Sequence, residues 1–137
     1  MSNQVQRTLL PHLRAAAGQY PVVTLTGPRQ SGKTTLCRMA FPDKPYVSLE
    51  PIDTREFAQQ DPRGFLAQYP DGAVLDEAQR VPALFSYLQD SVDRDARKGR
   101  FVISGSENLA LSQAISQSLA GRTAMLVLLP FSLEERS

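Results

Sequence analysis

Apolar positions recur along the chain with two alternating periods. Val5, Leu9, Leu10, Leu13 and Ala16 are spaced for one face of a helix. Pro11 is expected to kink or restart that helix, and Gly18 and Pro21 to close it. Val22-Val23-Thr24-Leu25-Thr26 is β-branched and apolar and predicts a strand. Lys33 to Phe41 predicts a helix stopped at Pro42, and Tyr46 to Leu49 a second strand. Asp53 to Tyr69 reads as two helical pieces broken near Asp61-Pro62, and Ala73 to Leu75 as a short third strand. Leu84, Tyr87, Leu88 and Val92 share one face of a helix over Pro82 to Asp95, and Phe101 to Ile103 is a fourth strand. Leu111, Ala114, Ile115 and Leu119 line a helix over Leu109 to Leu119, and Ala124 to Leu129 is a fifth strand stopped by Pro130.

Strands that alternate with helices predict an α/β fold: a parallel sheet covered on both faces, joined by right-handed crossovers. The continuous apolar runs of the first and fifth strands suit buried central positions. Ligands of such sheets sit beyond the carboxyl ends of the strands. The loops after Thr26, Leu75 and Ile103 should therefore share one edge.

Composition narrows the function classes. A chain of 137 residues, 42% hydrophobic and 21% charged, is ordinary for one soluble domain, here residues 1–137 with 1–20 as an N-terminal helical segment. Lys plus Arg is 15 and Asp plus Glu is 14, which gives no electrostatic case for nucleic acid or an anionic membrane as partner. The single cysteine, Cys37, excludes an intrachain disulfide, and with the single His12 it cannot build the usual zinc cage. No apolar run approaches the ~20 residues of a membrane span, and the first twenty residues lack a signal-peptide core. A cytoplasmic protein without membrane contact is expected.

The chemistry begins at Gly27-Pro28-Arg29-Gln30-Ser31-Gly32-Lys33-Thr34, which fits G-x-x-x-x-G-K-[ST] after a strand and before a helix. A loop that wraps phosphates turns backbone N–H groups inward, and Gly27 and Gly32 remove the Cβ atoms that would block it. A helix starting near Lys33 points its unpaired N–H groups at the anion. Lys33 can reach the outer phosphates and the Thr34 hydroxyl can join a magnesium shell. Cys37 and His12 read as a small core residue and a surface residue.

Gly72 to Glu77 is an apolar strand ending in two carboxylates. Asp76 at the strand tip is placed to hold magnesium through a water, and Glu77 to activate the attacking water. Among Ser104, Ser106 and Asn108, at the exit of the fourth strand, a polar group can sense the terminal phosphate; Ser106 or Asn108 can equally cap the following helix. Arg122 falls at the start of the fifth strand, on the edge remote from the phosphate loop, and reads as structural or partner-facing. Arg94, Arg97, Lys98 and Arg100 form a basic cluster on that same far edge, without the interleaved aromatics of a nucleic-acid site.

In this order the motifs resemble the core of the AAA superfamily of ATPases. VVTLTGPRQSGKTTL, YVSLEPIDTREFAQQDPRGFLAQYPDGAVLDEAQRVPALFSYLQ, GRFVISGSENLAL and SQSLAGRTAMLVLLPFSLEE are similar to a family of prokaryotic ATP-binding proteins. In that family an AAA-type domain precedes a C-terminal domain of uncharacterised role. The resemblance implies a three-layer P-loop NTPase fold with strand order 5-1-4-3-2. It implies Gly27 to Thr35 as the Walker A segment and Asp76-Glu77 as the Walker B pair, with Gln79 in the same signature. It makes Ser104 to Asn108 the sensor segment. Family members continue past Ser137 into a helical lid and the second domain, so this chain is expected to carry the ATPase core alone.

The expected function is ATP binding with magnesium-dependent hydrolysis, with Glu77 and Lys33 as the catalytic pair. ATP is contacted by residues 27–35, Ser104 and Asn108, and magnesium is held by Thr34 and Asp76. A nucleotide-occupied switch or scaffold with negligible turnover is the alternative, which loss of a water-excluding lid favours. A small-molecule kinase fits less well, because the adjacent carboxylates favour hydrolysis, and no Asn-Lys-x-Asp segment supports GTP. A homo-oligomer or a protein partner is compatible with this reading.

Overall fold

A computed structural model of the protein describes residues 2–28, 32–106 and 108–128. In chain order the elements are α1 (Ser2–Ala17), β1 (Val22–Thr26), α2 (Lys33–Ala40), β2 (Tyr46–Ser48), α3 (Ile52–Gln60), α4 (Pro62–Ala67) and β3 (Val74–Asp76). A 3₁₀ turn (Ala78–Arg80), α5 (Leu84–Arg94), β4 (Phe101–Gly105), α6 (Leu109–Ser118) and β5 (Thr123–Val127) follow. The strands form one parallel sheet in the order β2-β3-β4-β1-β5, which is 5-1-4-3-2 read from the other edge.

Two apolar layers sandwich this sheet. On one face Phe65, Phe85, Leu88 and Ile115 from α4, α5 and α6 pack against Leu75, Phe101 and Ile103. On the other, Leu13 of α1 and Leu36 and Cys37 of α2 pack against Val23, Leu25 and Val102. Burial is the main stabilising term, worth roughly 1.5–3 kcal/mol for each large side chain fully removed from water.

The chain breaks its helices with local chemistry. Asp61 ends α3 and caps α4: its Oδ1 accepts from Gly64 N at 3.0 Å, with Pro62 in the first turn where a missing N–H costs nothing. The expected break at Asp61-Pro62 is therefore present. The helix α1, by contrast, does not restart at Pro11 but runs through it. Proline removes one helical hydrogen bond, and the apolar contacts of Leu9, Leu10, Leu13 and Ala16 on the second layer hold both halves together.

A second expectation fails at β5. Its apolar run suits a central place, yet among the described residues it pairs only with β1 and stands at the edge of the sheet. Met125 and Val127 are 51% and 47% exposed, whereas all five residues of β1 are buried between two neighbours. Apolar content alone does not distinguish a central strand from an edge with one face packed. Leu129 and Pro130, assigned to the strand's end, lie outside the described residues.

Register sets the functional edge. Thr26 pairs with Gly105, and Asp76 with Ser104, so the carboxyl ends of β1, β3 and β4 finish together. The opposite edge is closed by backbone approach. Gly72 has φ 96°, and a Cβ there would meet the Arg100 carbonyl oxygen at 1.5 Å. Gly72→Ala should therefore lower stability by about 2 kcal/mol or more, read as a drop in the urea midpoint at constant slope.

Candidate functional site

The site assembles on Asp76. Its Oδ2 accepts from Thr34 Oγ1 at 2.8 Å and from the Tyr46 hydroxyl at 2.5 Å. Its Oδ1 accepts from Ser104 Oγ at 2.7 Å and from the backbone N–H of Glu77 at 2.9 Å. Four donors from α2, β2, β4 and the chain's next residue thus hold a carboxylate that is 5% exposed. A carboxylate has about four lone-pair positions, so this one is saturated. Buried charge is tolerated only with such compensation.

Tyr46 was not among the sequence candidates. It lies thirty residues before Asp76 and opens β2, and no spacing rule links an aromatic there to the tip of the next strand in sequence. Its hydroxyl is pushed up to about 12 by burial first and by the Asp76 carboxylate second. It therefore remains a donor at neutral pH. Arg38, one turn beyond Thr34, lies over its ring at 5.0 Å.

Gly32 precedes α2 with φ 90° and ψ 8°, a left-handed conformation that suits glycine. Gly27 is placed differently from a phosphate-facing amide: its N–H donates to the Gly105 carbonyl at 3.3 Å and ties the loop's start to the end of β4. Lys33 is 4% exposed; its Nζ donates to the Pro28 carbonyl at 3.4 Å and lies 3.8 Å from Glu77 Oε2. Pro28 and Thr35 are exposed. Arg29, Gln30, Ser31 and Glu107 lie outside the described residues.

Glu77 is the one non-glycine residue with positive φ among the described residues, at 57°. That conformation costs a side-chain-bearing residue roughly 1–2 kcal/mol. It turns the chain from β3 into the 3₁₀ turn and swings the carboxylate toward Lys33. Gln79 Nε2 donates to Glu77 Oε1 at 2.7 Å.

The remaining candidates separate. Ser104 is fully buried and spends its hydroxyl hydrogen on Asp76. Asn108 caps α6, its Oδ1 accepting from Leu111 N at 2.8 Å. Cys37 is buried beneath α2, and burial, then the Asp76 charge, push its thiol up to about 12. Arg122 makes a two-pronged contact with Asp93 at 2.7 and 3.1 Å on the far edge. The basic cluster is likewise engaged: Arg94 meets Asp90 at 2.8 Å, Arg97 grips Asp95, and Arg100 donates to the carbonyls of Pro70, Ser91 and Asp95.

The donor set fits a magnesium ion. Thr34 gives its hydrogen to Asp76 and keeps its lone pairs for a hard cation. No group of three or more His, Cys, Asp or Glu side chains forms a metal cage among the described residues. That suits an ion held mainly by phosphates and water.

A family model described as "AAA domain" matches residues 19–137. Uncharacterized proteins of Mycobacterium tuberculosis and Mycobacterium bovis are each 40% identical over 126 residues. The match covers 90% of this chain but only 28% of theirs, so the chain spans less than a third of the length of these relatives. A Walker-type ATPase of Pyrococcus abyssi is similar in structure with a TM-score of 0.61 at 17% identity, over 96% of this chain and 54% of that one. RuvB of Thermotoga maritima gives a TM-score of 0.54 at 21% identity, over 93% and 44%. These likenesses establish an AAA-type P-loop NTPase fold.

Tyr46→Phe removes one of four donors to a buried carboxylate. It should lower stability by about 1.5 kcal/mol, checked by urea denaturation of the nucleotide-free protein.

Proposed function

Because the chain belongs to this AAA-domain family, we propose that it binds ATP with magnesium over residues 27–35 and hydrolyses it at Glu77. The observation that carries this reading is the convergence of Lys33, Thr34, Asp76 and Glu77 at one sheet edge. Two segments separated by about forty residues of sequence thus place a phosphate-reaching cation, a metal-holding pair and a proton acceptor side by side.

The residues divide the work. The start of α2 and the glycine-bearing loop offer backbone N–H groups to the phosphates. Lys33 leaves Glu77 and the Pro28 carbonyl to meet the outer phosphates. Thr34 and Asp76 would hold magnesium, the ion or its water taking the place of one of the four donors on the Asp76 carboxylate, and the bound ion would neutralise charge on the phosphates. The freed Glu77 carboxylate orients a water and takes its proton as the water oxygen bonds to the γ-phosphorus. The bond from that phosphorus to the β–γ bridging oxygen breaks, leaving ADP and phosphate. Ser104 positions Asp76, and Asn108 presents its side-chain amide at the exit of β4.

A second reading, a nucleotide-holding switch with slow turnover, is favoured by one observation. The Glu77 carboxylate is buried and lies 3.8 Å from Lys33 Nζ, which competes with a water for it. The proposed location is cytoplasmic; no helix among the described residues is long and apolar enough to cross a membrane.

Phosphate release and ATP affinity, measured together, test the proposal. Lys33→Ala should weaken ATP binding by tenfold or more, on the order expected for a buried phosphate contact; unchanged affinity rejects the loop assignment. Glu77→Gln should keep ATP affinity and lower kcat by roughly 10²–10⁴. Equal turnover in Glu77→Gln removes Glu77 from the chemistry.

A further inference from the structure

Gln79 is held at both ends, in two different ways. Its Nε2 donates to Glu77 Oε1 at 2.7 Å. Its Oε1 is buried and has no hydrogen-bond partner among the described residues. That oxygen lies 2.2 Å from where a Cβ on Gly105 would stand. The amide therefore fills the notch left by the missing side chain of Gly105. Gly105 is the last residue of β4, pairs with Thr26 and accepts the N–H of Gly27.

An orphaned buried carbonyl costs about 1–3 kcal/mol. The left-handed backbone at Glu77 adds a cost of its own two residues earlier. Neither improves the packing of the core, and both serve to fix one carboxylate. We infer that Gln79 is a positioning residue for the proposed hydrolysis, wedged against Gly105 so that Glu77 is held in register with the end of β4 and the start of the phosphate loop. The inference rests on the hydrolysis reading and deepens it.

The wedge makes a relational test available. Gly105 lies outside the left-handed region, so alanine is acceptable to its backbone and clashes chiefly with the Gln79 amide. Gln79→Ala, Gly105→Ala and the double variant are compared with wild type for kcat of phosphate release and for MgATP affinity. Each single substitution should lower kcat by about tenfold or more, with ATP affinity within about twofold. The double variant should be no slower than Gln79→Ala, because the alanine at 105 then has nothing to displace. Multiplicative losses, an unchanged kcat in Gly105→Ala, or loss of ATP affinity along with kcat would each overturn the inference.

Gln79→Met keeps the volume without the donor and should show the same loss of kcat; wild-type turnover there overturns the inference even if Gly105→Ala fails to fold. If wild type and Glu77→Gln release phosphate equally, the hydrolysis reading alone fails. The hold on Glu77 is then read from the Gln79 side-chain amide resonance by ¹H–¹⁵N NMR. A resonance displaced in Glu77→Ala supports the hold, and one that does not move refutes it.

Discussion

The Asp76 carboxylate is the constraint around which the functional edge is built. A buried negative charge must be compensated on all sides, and here the compensation comes from four places in the chain. Meeting that requirement fixes the rotation of α2 through Thr34, the height of β2 through Tyr46 and the register of β4 through Ser104. The backbone is recruited as well, since Leu49 N donates to the Asp76 carbonyl at 2.9 Å. The carboxylate is thereby held in one orientation by the protein's own donors.

The two ends of the sheet are built on opposite principles. At the far edge Gly72 presses on the Arg100 carbonyl, Arg100 gathers three backbone carbonyls, and Arg122 pairs with Asp93. These contacts lock turns that have no chemistry to perform. At the near edge the contacts of Lys33 with the described residues are long, at 3.4 and 3.8 Å, and Glu77 sits in an unfavourable backbone region. Loose partners and local strain are tolerable there because the apolar layers beneath hold the strands rigidly.

Much of this was legible in the chain. The alternation of periods gave every strand and helix, and the phosphate loop with its acidic strand tip located the edge where they meet. What escaped was whatever depends on pairing between distant segments. Tyr46 carries no motif, and its role exists only because β2 lies beside β3. The edge position of β5 was not readable from its apolar run, since one packed face and two packed faces draw on the same residues; it came only with the strand order that the family resemblance implied. Pro11 sits inside α1 without restarting it, because its local cost is outweighed by tertiary contacts that no local window contains. Ser104 and Asn108 were found as polar residues, but their partners, Asp76 and the first turn of α6, are set by geometry.

The chain's lone thiol gains a meaning from where it is stored. Cys37 sits on the buried side of α2, the helix whose first turn carries Lys33 and Thr34, with its ionisation pushed up to about 12. Only the thiolate attacks alkylating reagents, so the sulfur is silent while the helix is seated and becomes reactive when it lifts. With one cysteine in the whole sequence, the rate of its modification counts the openings of a single helix. The protein therefore carries, without any added label, a chemical clock for the local unfolding of the helix that bears Lys33 and Thr34.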